Sequence, residues 1–221
     1  MTPSAALPSP RSPWIKVCGV RSFADLEACA KAGATHVGVN TWPQSPRAVS
    51  PREARALVRG ARSLGLVPVV LHLSGSLLPF TGAARLGAPF LQLYARPPAR
   101  DEAALAALRV SVIESRPAAS SSSVEALPWG QVLLLDAARP GKPGGTGSPF
   151  DWSLCGLAPR PFILAGGLGP ENVAQAVHRA RPAGVDAASR LESRPGVKDA
   201  GRIREFCASA RQAFMEIAHA L

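Results

Sequence analysis

Cysteine, histidine, tyrosine and lysine are all scarce in this chain. Its 221 residues include four cysteines, four histidines and one tyrosine, and aromatic side chains make up 5%. Cys18, Cys29, Cys155 and Cys207 stand far apart, with no CxxC pair and no histidine-rich segment. That spacing argues against a zinc site or a disulfide framework and points to a reducing, cytoplasmic setting. No apolar run approaches the ~18 residues that a membrane-spanning helix requires. Residues 1–13 are rich in Pro, Ser and Ala, carry one charge at Arg11 and lack the apolar core of a secretory signal. They read as a flexible extension ahead of a single domain over 14–221.

Only four of the 25 basic residues are lysines, and 15 acidic residues leave a net charge of +10. Such a field can steer a small anionic substrate, or it can be a compositional bias toward arginine without function. The arginines are dispersed singly, without a basic block or interleaved aromatics. Neither nucleic acid nor a membrane is therefore the expected partner. Monomer and homodimer both remain open.

What is present is an alternation of short apolar runs and helical patterns. Trp14 to Cys18 is an apolar run with Lys16 inside it, followed by a helix over about 23–32 that Gly33 closes. Further strands are expected over about 34–40, 67–73, 89–94, 110–114, 131–136, 161–165 and 184–188. Ser50, Pro51 and Glu53 form a capping-box start for a helix to about Leu64. Other helical stretches are a weak one over 77–86, then 101–108, a turn at 124–127, 151–157, 170–181 and 199–220. The serine run 120–123 and the glycine-rich stretch 138–149 read as loops. Eight strands alternating with helices suit the α/β class, either a single-domain (β/α)8 TIM barrel or an open doubly wound sheet. The count of eight, and glycine-rich loops after strands seven and eight, favour the barrel.

In a barrel, chemistry sits at the C-terminal strand ends. Cys18 ends the first strand there, although a buried cysteine packed as a small hydrophobe is the plain alternative. Asp136 ends the wholly apolar strand QVLLLD, where a carboxylate needs a partner: a salt bridge, a helix cap or an acid–base role beside Cys18. Asp186 is a further strand-end carboxylate. Arg47, in a proline-bounded loop, can hold a carboxylate through its planar fork. Gly166 and Gly167 offer either a tight turn or a phosphate nest of bare N–H groups.

KVCGV, QSPRAVS, LQLY, LLLD, GGTGSPFDW, ILAGGLGPENV and GVDAASRLESRPGVKD occur in this order. Together, over about residues 14–214, they closely resemble the phosphoribosylanthranilate isomerase family of tryptophan biosynthesis. The resemblance implies a (β/α)8 barrel with no metal or organic cofactor and a small anionic phosphosugar substrate. The implied reaction is an Amadori rearrangement of N-(5-phosphoribosyl)anthranilate to 1-(o-carboxyphenylamino)-1-deoxyribulose 5-phosphate. It also implies Cys18 as general base, Asp136 as general acid and Arg47 facing the anthranilate carboxylate. Lys16, Gln92 and Asp186 would line the substrate pocket, and Gly166, Gly167, Ser189 and Arg190 the phosphate.

The pattern departs at three places. A pocket histidine of the family's QLHG appears as Tyr94, and the strand-three Val-Asn end as Leu71-His72-Leu73. The glycine of the family's DVSSGVE appears as Arg190, a poor residue for close backbone approach or positive φ. Arg190 is expected either to pair with the phosphate or to obstruct it. The alternatives to an active isomerase are a family barrel with an altered sugar-phosphate substrate and one that has lost activity.

Overall fold

A computed structural model describes residues 8–9, 12–72, 87–107, 109–118, 124–126, 128–136, 152–158 and 161–219. Eight parallel strands close into a barrel: β1 Trp14–Cys18, β2 His36–Asn40, β3 Val67–His72, β4 Phe90–Leu93, β5 Ser111–Pro117, β6 Val132–Asp136, β7 Phe162–Ala165 and β8 Gly184–Ala187. β8 pairs with β1 and completes the ring, with Lys16 opposite Asp186. The described helices are α1 Phe23–Ala32, α2 Pro51–Ser63, α3 Ala99–Ala107, α4 Val173–Ala180 and α5 Ala200–His219. None is long and apolar enough to cross a membrane.

Local chemistry explains the sharpest boundaries. Ser22 and Asp25 make a capping box at the start of α1, and Gly33 closes it in the left-handed region at φ 76°. Ser50 and Glu53 do the same for α2, with Pro51 in its first turn, where a missing N–H costs nothing.

Three expected elements differ. Strand five runs on to Pro117, because Arg116 and Pro117 still pair with Leu135 and Asp136 of β6. The stretch expected as a helix over 151–157 is a 3₁₀ segment, Trp152–Leu157. Between β8 and α5 lies more than a loop: a 3₁₀ turn Ser189–Leu191, then a small antiparallel pair, β9 Glu192–Arg194 and β10 Val197–Lys198. The helix 77–86, the serine run 120–123, the glycine-rich stretch 138–149 and most of the segment 1–13 lie outside the described residues.

Strand alternation divides the interior in two. Ile15, Val17, Leu133, Leu135 and Val185 face outward and pack with Leu26, Val58, Val177 and Phe206 of the helices. Trp14, Val69, Phe90, Ile113, Leu134 and Ile163 fill the barrel itself. At its floor Trp14 stacks on His36, with centroids 3.8 Å apart, and Phe90 meets Trp14 edge-on at 4.8 Å. Burial pushes His36 down to about 3, so this imidazole is neutral and serves packing.

Removing the α2 cap tests how much its geometry contributes. Ser50→Ala should lower unfolding stability by roughly 1 kcal/mol, read as a lower urea midpoint with an unchanged slope. An unmoved midpoint would mean that the Ser50–Glu53 box adds nothing.

Candidate active site

Above the floor the barrel turns polar. Lys16 has no exposed surface, and its Nζ donates to Asp186 Oδ2 at 2.8 Å and to Gln92 Oε1 at 3.0 Å. Burial alone would strip the Lys16 proton. The Asp186 carboxylate, with Cys18 next, outweighs it and holds the ammonium above the ordinary lysine range. Among the described residues, the buried Asp186 Oδ1 has no hydrogen-bond partner, an acceptor left open inside the barrel.

Two residues along the same face, Cys18 ends β1 at 7% exposure. Burial pushes its thiol up, while the Lys16 ammonium pulls the other way. Gly38 of β2 stands opposite Cys18, and a Cβ there would lie 2.8 Å from the sulfur. The bare glycine is what makes room for the thiol. After Cys18 the chain turns through Gly19 at φ 80°, and Gly19 N–H donates to Gly38 O at 2.8 Å.

Gln92 Nε2 reaches Tyr94 Oη at 3.3 Å and Ser115 Oγ at 3.4 Å. The Tyr94 ring is partly open to solvent, but its phenol is raised well above the usual range. Burial is the main cause, with the nearby Cys18, Asp136 and Asp186 acting in the same direction. Asp136 ends β6 half-buried, its backbone fixed between Pro117 and Ala165.

Arg47 lies along Gly19: a Cβ on that glycine would come within 2.4 Å of Arg47 Cδ. Its fork already holds a carboxylate, with Nε at 2.7 Å and Nη2 at 2.8 Å from Glu192 of β9. Lys198 Nζ reaches the same carboxylate at 3.0 Å and Ala188 O at 2.9 Å. Burial pushes Glu192 up, but Arg47 and Lys198 outweigh it and hold its carboxyl below the usual range. Among the described residues, two largely buried cations, Arg47 and Lys198, thus share the one Glu192 carboxylate beside Cys18. Among the described residues, Arg47 Nη1 has no partner.

After β7, Gly166 and Gly167 take φ 91° and 64°, conformations that favour glycine, and the space a Gly167 Cβ would occupy is empty to 4 Å. Asn172 clamps this turn, donating to Gly167 O at 3.0 Å and accepting from Gly169 N–H at 2.9 Å. After β8, Ser189 and Arg190 lie in the 3₁₀ turn. Arg190 is not in the positive-φ region, so the strain expected for a non-glycine there is absent. Nor does its guanidinium turn into the mouth, since it pairs with Glu171.

The structure thus gathers Lys16, Cys18, Gln92, Tyr94, Asp136 and Asp186 at the inner end of the barrel mouth. Arg47 sits beside Gly19 at one side, with Gly166, Gly167, Ser189 and Arg190 in the loops after β7 and β8. Cys29, Cys155 and Cys207 are fully buried away from this group. Glu192, Lys198, Ser115 and Asn172 were not singled out from sequence. Only Asn172, between Gly-Pro and a helical pattern, carries a local cap-like signal.

A family model described as N-(5'phosphoribosyl)anthranilate (PRA) isomerase matches residues 15–209. An N-(5'-phosphoribosyl)anthranilate isomerase of Magnetococcus marinus is 38% identical over 207 residues, covering 90% of this chain and 95% of the relative. A crystal structure of the Thermotoga maritima isomerase superposes with a TM-score of 0.77 at 28% identity, over 90% of this chain and 99% of that one. A crystal structure of a phosphoribosyl anthranilate isomerase in complex with reduced 1-(o-carboxyphenylamino)-1-deoxyribulose 5-phosphate gives a TM-score of 0.72 at 26% identity, with 90% of this chain and 99% of that one covered.

The thiol's surroundings are testable chemically. Native protein should be alkylated by iodoacetamide at Cys18 before the other three cysteines. Because the folded pKa is raised, the rate should keep climbing past the ~8.5 of a free thiol instead of levelling below it. Gly38→Ala should change that rate with little change in circular dichroism, since the new Cβ displaces the sulfur. An unaltered rate would mean that Gly38 does not set the thiol's position.

Proposed function

The chain belongs to the N-(5'-phosphoribosyl)anthranilate isomerase family, and from that premise we propose that Cys18 and Asp136 are the base and acid of its Amadori rearrangement. One observation carries this reading. A nearly buried thiol and a strand-end carboxylate share the mouth of one barrel, with a buried ammonium beneath them.

Asp136, protonated, donates to the furanose ring oxygen as the C1′–O bond breaks, leaving the anthranilate nitrogen doubly bonded to C1′. Cys18, as thiolate, removes the C2′ proton, and the electron pair moves to form the enolamine. Protonation at C1′ and loss of the enol proton give the ketose. The pair needs one proton at the start, on the carboxyl and not on the thiol. The Lys16 ammonium favours a thiolate, while burial, the larger effect, holds the thiol up in the free protein, so the Cys18 proton has to leave before C2′ is attacked.

The substrate has an anion at each end, and the site has a cationic or N–H-rich partner for each. The anthranilate carboxylate suits Arg47 Nη1, in the cluster Arg47 forms with Lys198 and Glu192. The phosphate suits the N–H groups of Gly166, Gly167, Ser189 and Arg190. Asp186 Oδ1 is an acceptor for a ribose hydroxyl, and Gln92 and Tyr94 line the wall between. An altered sugar phosphate has less support, since the Arg190 guanidinium pairs with Glu171 and not across the mouth.

Purified protein should turn over freshly made phosphoribosylanthranilate, followed by loss of anthranilate-type fluorescence. Cys18→Ala and Asp136→Asn should each lower kcat by about 10²–10⁴-fold with the fold retained. Near-normal turnover in either folded variant would remove the role assigned to that residue.

A further inference from the structure

Position 190, a glycine in the family pattern that the sequence resembles, is an arginine here. Its side chain runs outward across the neighbouring loop. A Cβ on Gly169 would lie 2.9 Å from Arg190 Cβ and 3.0 Å from Arg190 Cδ, so the stem crosses the backbone of the loop after β7. Beyond it, Nη1 pairs with Glu171 Oε1. The Arg190 Nε is buried with no partner, which leaves Glu171 as the polar contact fixing the guanidinium among the described residues.

This matters because, among the described residues, no backbone hydrogen bond joins the two loops. Pairing between β7 and β8 stops at Leu164 and Val185. Past that point, among the described residues, no backbone hydrogen bond links 166–172 to 188–191. Each turn is closed on itself: Asn172 clamps Gly167 and Gly169, and Leu191 N–H returns to Ala188 O. A phosphate held by N–H groups from both loops needs them at one separation.

We infer that Arg190 and Glu171 form a side-chain strap that sets the spacing of the two phosphate loops, making both of them positioning residues for the substrate phosphate. The inference rests on the isomerase reading proposed above. It assigns Arg190 a place outside the mouth, where its side chain neither obstructs the phosphate nor touches it. It also explains why position 169 must be glycine although its φ is not positive: a Cβ there would collide with the strap.

The test uses the whole protein with Arg190→Gly, Glu171→Gln and the double variant. Two quantities are read: steady-state constants with phosphoribosylanthranilate, and the dissociation constant of inorganic phosphate by calorimetry. Each single variant should raise KM and weaken inorganic phosphate by roughly two- to fivefold, the scale of a partly exposed ion pair, with kcat moving less. The double variant should be no worse than the poorer single, because both remove one contact. A lower KM in Arg190→Gly would mean obstruction and overturn the strap. Tighter phosphate in Glu171→Gln would mean that the freed arginine binds phosphate directly. Unchanged phosphate affinity in both singles, additive losses in the double, or no phosphate binding by the wild type would each sink it too. Should Arg190→Gly fail to fold, Arg190→Ala carries the same comparison. A wild type that binds inorganic phosphate without turning over the substrate would defeat the isomerase proposal while leaving the strap measurable through phosphate alone.

Discussion

A lysine with no exposed surface closes this barrel. Lys16 on the first strand and Asp186 on the last meet across the seam at 2.8 Å, in register as β-sheet neighbours. Either charge left alone inside the barrel would cost several kcal/mol even after relaxation. The partner is available only when β8 pairs with β1 in this register. A slip of one residue would turn Asp186 outward into the apolar layer beneath the helices and leave Lys16 bare. The same register places Cys18 two residues beyond Lys16 on the inner face, and so at the mouth. Ring closure, strand register and the position of the thiol are one constraint seen three ways.

Above an aromatic floor of Trp14, His36 and Phe90, the barrel therefore carries an ionic middle and a polar rim. The order has electrostatic consequences. Burial raises the Cys18 thiol, and the ammonium below is the nearest force against it. Tyr94, which replaces a histidine of the family pattern, cannot add a second cation at the rim; its phenol is held neutral by its surroundings. Positive charge reaches the thiol from Lys16 beneath and from the Arg47 cluster at the side, not from the β4 wall.

Sequence reasoning reached the parts of this arrangement that are written locally. Apolar runs of strand length, two capping boxes and the glycines just past the first two helices, Gly33 and Gly65, mark elements within a few residues of where they lie. Cys18, Asp136 and Asp186 stood out because strand ends in a barrel point to one place. What escaped depends on partners far away in the chain. Arg47 and Glu192 are 145 residues apart, and no local pattern shows that the fork is already occupied. The β9–β10 pair is only three residues against two, too short for periodicity to register. The concern about Arg190 was sound for a backbone at positive φ; the chain meets the position with ordinary φ, so the side chain and not the backbone is the novelty.

That short pair also ties the turn after β8 to the Arg47 fork. Lys198 on β10 donates both to Ala188 O, at the root of that turn, and to Glu192, which holds Arg47. Arg202 of α5 adds a bond to Glu192 O at 2.5 Å, and Gly196 N–H reaches its carboxylate at 3.3 Å. Ala188, Lys198, Glu192 and Arg47 thus form one hydrogen-bonded chain from the turn after β8 to the loop after β2. Among the described residues, the loop after β8 is thus tied to the rim by several side chains. The turn's geometry is set by Lys198 and Glu192 from below. Position 190 has only to keep an allowed φ and send its side chain outward, where Glu171 receives it.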